Sequence, residues 1–230
     1  MELCIDTSTR YAMVGVSRQG EAVAELAWRS NRNHSVELAP ALRKIMAHAK
    51  VVMADVDAIF VAGGPGAFSA LRVGMSAAKG MGKALGVPLV SVGTLDVEAF
   101  PYLGLGKEVC ALIGAGRNRL YVGAYPVSGD NRQPTADVMQ HEEFFAQDLR
   151  EDVIYCGEGV QDVRDTLVER VSQRGLVANV RPPTRRAGVM ASLGYLRLMN
   201  GEADDPATLQ PMYLRGGSQI YTARQVSTKN

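Results

Sequence analysis

Asp6-Thr7-Ser8-Thr9 places a carboxylate and three hydroxyls in unbroken succession behind the apolar run Leu3-Cys4-Ile5. Oxygen groups of that kind can hold a metal-bound phosphate; they also close Asx and Ser/Thr turns with no ligand at all, and the sequence leaves both readings open. A second stretch, Gly63-Gly64-Pro65-Gly66-Ala67-Phe68-Ser69-Ala70-Leu71-Arg72, runs from a buried strand into a helix. Its glycines allow close backbone approach, a helix start offers N–H groups to an anion, and Arg72 in the first turn adds a cationic arm. Asp6, Thr7, Ser8, Gly63, Gly64, Gly66 and Arg72 therefore form a candidate phosphate site. The loop lacks the G-x-x-x-x-G-K-[ST] spacing of a phosphate loop, and a strand-to-helix turn stiffened by Pro65, with Phe68 packed beneath it, accounts for the same residues.

Other chemistry finds no local support. His34, His48 and His141 are far apart, with no H-x-x-x-H or H-E-x-x-H to set two imidazoles on one helical face, so no metal ligands are assigned. Gly157-Glu158-Gly159 has Asp162 where a dinucleotide fingerprint needs its third glycine, and Gly114-Ala115-Gly116 precedes a strand where that motif requires a helix. A G-x-S-x-G nucleophile elbow is missing. Cys4, Cys110 and Cys156 lie in apolar strand-like runs without C-x-x-C spacing and read as reduced core residues. No catalytic residue and no cofactor follow from these patterns.

The elements that would position these residues come in two similar series. Strands over Leu3–Asp6, Tyr11–Arg18 and Glu21–Trp28 are joined by short turns. A helix from about Ser35 to Ala49, a strand Asp57–Ala62, a helix Ser69–Leu85, a strand Val87–Ser91 and a short helix from Thr94 follow. After a linker at Pro101–Gly106 the order recurs: strands Glu108–Ile113, Arg119–Val127 and Thr135–Gln140, helix His141–Leu149, strand Val153–Cys156, helix Val160–Gln173, strand Leu176–Val180 and helix Ala187–Met199. Two βββαβαβα units of this kind make an α/β protein of the actin-like class, with ribonuclease H-like units at 1–102 and 103–230. The C-terminal helix of the second is expected to pack back on the first.

Composition narrows the setting. Apolar residues at 47% and charged residues at 21% are ordinary globular usage, and a net charge of +1 gives no broad footprint for autonomous nucleic-acid binding. No apolar run approaches the ~20 residues of a membrane span and no signal-peptide pattern opens the chain, so a cytoplasmic protein is expected.

The helix over 69–85 carries a further signal. Arg72, Ser76, Lys79 and Lys83 share a narrow polar strip, while apolar and small residues cover an arc of about 220°, roughly twice one packed face. Ala70, Gly74, Ala78 and Gly82 recur at every fourth position. Such a stripe admits a second helix closely or seats the helix on its own sheet. With Leu38, Leu42, Ile45 and Met46 on the preceding helix, and Ala77 and Met81 beside the stripe, these residues form a candidate partner interface.

Several stretches together resemble one family: Leu3-Cys4-Ile5-Asp6-Thr7-Ser8-Thr9, the pair His34-Ser35, Gly64-Pro65-Gly66-Ala67-Phe68-Ser69-Ala70-Leu71-Arg72-Val73-Gly74, Pro88-Leu89-Val90-Ser91-Val92-Gly93-Thr94-Leu95 and Pro211-Met212-Tyr213-Leu214-Arg215. They resemble the TsaB (YeaZ) family of bacteria, densely over about the first hundred residues and sparsely beyond. The resemblance implies an actin-like fold and a non-catalytic role in forming threonylcarbamoyladenosine beside the anticodon of tRNAs that read codons starting with A. It implies a TsaD-like paralogue as heterodimer partner, a TsaE-like ATPase, a homodimer when alone, and tRNA met only through the complex. Ala67, Ser69 and Ala70 depart from the family's G-P-G-S-F-T-G-L-R, and Gly114-Ala115-Gly116-Arg117 stands where D-A-R is usual. An actin-like small-molecule kinase and a degenerate glycoprotease-like metallopeptidase are the rival functions.

Overall fold

The computed structural model describes residues 1–127, 129–130, 132–147, 149–171 and 176–214, with the backbone of Gln219–Ile220. Arg215 and the end of the expected helix at Ser172-Gln173 lie outside the described residues. In chain order the elements are β1 (Glu2–Asp6), β2 (Tyr11–Arg18), β3 (Glu21–Arg29), α1 (His34–Ala49), β4 (Ala58–Gly64), α2 (Phe68–Leu85), β5 (Leu89–Gly93) and α3 (Thr94–Ala99). Then come β6 (Glu108–Gly114), β7 (Arg119–Tyr125), β8 (Thr135–Gln140), α4 (His141–Ala146), β9 (Val153–Cys156), α5 (Val160–Val171), β10 (Leu176–Val177), α6 (Ala187–Met199) and β11 (Gln219–Ile220). Contacts divide the chain into Met1–Val97 with Arg185–Tyr213, and Glu98–Thr184 with the segment that holds β11.

The first unit is a five-stranded sheet in the order β3-β2-β1-β4-β5, antiparallel from β3 to β1 and parallel from β1 to β5. β1 and β4 are buried along their whole length because both faces of the sheet are covered. Leu3, Ile5, Ile59 and Val61 join the core under α1 and α2, where Leu38, Leu42, Ile45, Met46, Met75 and Ala78 meet them. Alternate residues point the other way, so Phe60 meets Gly194 of α6. α1 ends at Lys50 and α2 at Gly86, both in the left-handed conformation that closes a helix. Pro40 lies inside α1 on its exposed side.

The second unit repeats the order: β8-β7-β6 antiparallel and β6-β9-β10 parallel, with β11 added beside β8. Its core gathers Leu112, Leu120, Phe144, Val160, Val163, Leu167 and Val171. Both sheets have the strand order of a ribonuclease H-like unit, and the chain is an actin-like α/β protein. β7 ends one residue before Pro126, which has no N–H for a ladder, two residues short of the sequence expectation. Among the described residues no helix is long and apolar enough to cross a membrane.

Candidate functional site

The turn after β1 is saturated from within its own unit. Asp6 Oδ1 accepts hydrogen bonds from the backbone N–H of Ser8 (2.7 Å) and from Ser8 Oγ (2.6 Å), an Asx turn. Asp6 Oδ2 accepts one from Arg185 Nε at 2.7 Å, and both side chains are buried. Arg185 also donates to Thr9 Oγ1 (2.7 Å) and to the carbonyl of Tyr11 (2.9 Å). The guanidinium charge balances a carboxylate that burial would otherwise penalise by several kcal/mol.

Thr7 is engaged differently. Its hydroxyl donates to the carbonyl of Ala70 (2.6 Å) and accepts from the N–H of Gly74 (3.0 Å), entering the i to i−4 ladder of α2 and pinning that helix to the end of β1. A Cβ at Gly74 would lie 2.6 Å from that oxygen, so glycine is required there.

The glycine-rich loop is filled by the chain itself. Gly64 has φ +103°, and an added Cβ would lie 2.8 Å from the carbonyl oxygen of Met212. Met212 donates its N–H to the carbonyl of Gly63 at 2.7 Å, and Ala67 donates to the carbonyl of Ser8 at 2.7 Å, beside which Gly66 packs. The loop's close approaches are thus to Ser8 and to the segment at Met212. Phe68 does not pack beneath the turn as its position suggested: it is 51% exposed, with the ring of Tyr213 at 5.0 Å on centroids and the guanidinium of Arg72 3.7 Å from its centroid. The seven residues of the candidate phosphate site are adjacent in space only in part; Asp6, Thr7, Ser8 and Gly66 cluster, while Arg72 turns outward to Phe68.

The helical layer also requires a correction. Leu38, Leu42, Ile45 and Met46, and the stripe Ala70, Gly74, Ala78 and Gly82, are buried in the first unit. The stripe seats α2 on its own sheet, with Gly74 against Thr7 and Gly82 beside Val87 and Ile59. These eight residues do not present a surface. Ala77 and Met81 remain half-buried, and with Val73, Gly80 and Ala84 they form the second half of the apolar arc, turned outward. On α1 the matching outer positions are Val36, Ala39, Pro40, Arg43 and Ala47, all exposed.

Among the described residues neither a metal centre nor an activated nucleophile is assembled. His34 Nε2 lies 2.8 Å from the carbonyl of Thr9, and the position one helical turn later is the buried Leu38. Among the described residues no group of three or more His, Cys, Asp or Glu side chains is placed to hold a metal. Burial pushes the thiols of Cys4 and Cys110 up to about 12, and that of Cys156 well above its ordinary value. The second unit's Gly157-Glu158-Gly159 serves structure: Glu98 Oε1 accepts from the N–H of Glu158 (3.2 Å) and from Thr184 Oγ1 (2.7 Å).

Arg185 and Tyr213 are the residues that sequence reasoning missed as participants. Each reaches its partner across well over a hundred positions, and no local spacing signals a contact of that range.

Comparison with known proteins agrees with this architecture. The family described as TsaD, tRNA N6-adenosine threonylcarbamoyltransferase, matches residues 26–161. The tRNA threonylcarbamoyladenosine biosynthesis protein TsaB of Bacillus subtilis (strain 168) is 25% identical over 219 residues, covering 93% of each chain. The tRNA N6-adenosine threonylcarbamoyltransferase of Anaeromyxobacter dehalogenans (strain 2CP-1) is 36% identical over 134 residues, 52% of this chain and 37% of that one. The solved structure of YeaZ from Pseudomonas aeruginosa superposes with a TM-score of 0.71 at 26% identity, covering 93% of this chain and 99% of that one.

Proposed function

Since the chain belongs to the TsaD (tRNA N6-adenosine threonylcarbamoyltransferase) family, and within it resembles TsaB (YeaZ) over nearly its whole length, we propose that it is a non-catalytic subunit in tRNA threonylcarbamoyladenosine formation. The observation that carries the non-catalytic part is the buried Arg185–Asp6 pair. The carboxylate best placed to organise a cation or phosphate is neutralised by the chain's own arginine. The same pair opposes a kinase reading, which needs that acid for magnesium.

In this reading the subunit activates a TsaD-like paralogue that carries the transferase centre, with a TsaE-like ATPase joining the pair. The partner docks on the outward half of the α1 and α2 layer, at Ala77, Met81, Val73, Gly80 and Ala84 with Val36 and Pro40. Apolar and small side chains there are only half covered by the first unit, and a second helical pair would bury them. A homodimer of the free chain would use the same face.

Reconstitution of tRNA modification from purified TsaD-like and TsaE-like proteins and the adenylate-forming enzyme tests the function. Modification should depend on adding this chain, and the chain alone should transfer nothing. Full modification in its absence would refute the proposal. Ala77→Arg should abolish capture of the TsaD-like protein while circular dichroism stays native; retained capture would move the interface elsewhere.

A further inference from the structure

Phe68, Tyr213 and Arg72 form an exposed stack that the helical interface does not use. Phe68 and Tyr213 are 51% and 39% exposed, their rings are tilted by 33°, and Arg72 lies over the Phe68 ring. Two exposed aromatic rings held together without burial in a core suit a planar ligand, since a base adds one more layer to an existing stack at little ordering cost.

The surroundings give that ligand a charge. From the stack, Arg72, Lys79 and Lys83 run along one polar strip of α2 over about 16 Å of helix. The sequence of α2 contains no acidic residue, and among the described residues none of these three forms an ion pair with a carboxylate. Lys79 donates to the carbonyl of Leu209 (3.0 Å) and feels Asp205, while Arg72 and Lys83 are exposed. Ala67, at the N-cap, supplies no capping side chain, so the positive end of the α2 dipole opens beside Phe68. In a chain of net charge +1 this excess is local, and it is separated around α2 from the apolar arc assigned to the partner.

We infer that this stack and the strip behind it bind single-stranded RNA, one unpaired base on the Tyr213–Phe68–Arg72 layer and the phosphate backbone along Arg72 and Lys83. Stacking platforms flanked by cations recognise single strands, because duplex bases hide their faces from side chains. The choice of RNA rests on the proposed role in tRNA modification. It adds a direct contact by this subunit to a substrate otherwise met only through the partner.

The test is fluorescence anisotropy with a labelled single-stranded oligouridylate and a labelled RNA duplex of equal length, on the full chain alone and with its TsaD-like partner. Single-stranded RNA should be preferred, with log affinity falling against log salt at a slope of about −1.4 for two phosphates. Phe68→Leu should weaken binding at least about fivefold, as expected for loss of one stacked base. Arg72→Gln should cut the slope by about half, and Lys83→Gln, at an exposed position, should weaken binding and lower the slope likewise. Equal affinity for duplex, or variants that bind like wild type, would overturn the inference. So would a Phe68→Leu variant that loses the TsaD-like partner and keeps RNA, since the stack would then be a protein contact. If wild-type chain still supports modification while the variants bind RNA unchanged, only this inference fails; if wild-type chain does not support modification, the proposed function fails first.

Discussion

The turn between β1 and β2 and the turn between β6 and β7 occupy the same place in two units of the same strand order, yet they solve opposite problems. In the first, Asp6-Thr7-Ser8-Thr9 is buried, Asp6 and Ser8 bond to each other, and Asp6, Thr7 and Thr9 are bonded to groups from elsewhere in the unit, Arg185 above all. In the second, Gly116-Arg117-Asn118 is exposed and closes on its own backbone, Ala115 N–H to the carbonyl of Arg119 at 2.8 Å. Topology was repeated without the chemistry. A buried carboxylate demands a permanent counter-charge, whereas the exposed turn needs only residues that tolerate left-handed backbone, Gly116 at φ +91° and Asn118 at φ +51°.

That contrast can be broken by substitution. Arg185→Ala should produce the largest loss, about 3–5 kcal/mol in urea unfolding, because it leaves the buried Asp6 carboxyl without its counter-charge. The double variant Asp6→Leu with Arg185→Met should recover much of it. A single variant close to wild type would mean that water or another group compensates the acid. Gly64→Val comes next, about 1–3 kcal/mol, from a β-branched residue forced to φ +103° against Met212. In the exposed second turn, Arg117→Ala should stay within about 0.5 kcal/mol of wild type. A comparable loss at both turns would erase the distinction.

The fold was legible because period and punctuation agree. β8, β9 and α6 begin and end as read from the sequence, since Pro134, Gly157 and Asn200 mark their limits beside clear apolar runs. The candidate site was legible only in composition. Asp6 and Ser8 make the Asx turn that their types allow, but what fills the site, Arg185, lies in a stretch with no pattern of its own. The helix stripe misled for a physical reason: small residues at every fourth position report close approach without saying to what. Here the neighbours are Thr7 and the sheet. Gly74→Arg and Ala78→Arg would therefore unfold the first unit, and cannot serve as probes of an interface.

The smallest effect concerns what the two units share. Cys4 on β1 and Cys110 on β6 hold the same strand in each repeat, and burial pushes both thiols up to about 12 from an ordinary 9.0. The native state therefore keeps protons that the unfolded chain gives up. By linkage, each thiol's contribution is fully present below pH 9, where both states are protonated, and is lost as pH rises from there towards 12. Lysines and tyrosines titrate in that range too, so the thiol part is isolated by difference. The slope of stability against pH above 9 should be shallower in Cys4→Ala with Cys110→Ala than in wild type. At pH 8 a disulfide reagent should leave the native thiols unmodified and label all three cysteines in urea. Rapid native labelling of Cys4 with Cys110 protected would show that β1 opens where β6 does not. The likeness between the units would then end at the turns and at the strands alike.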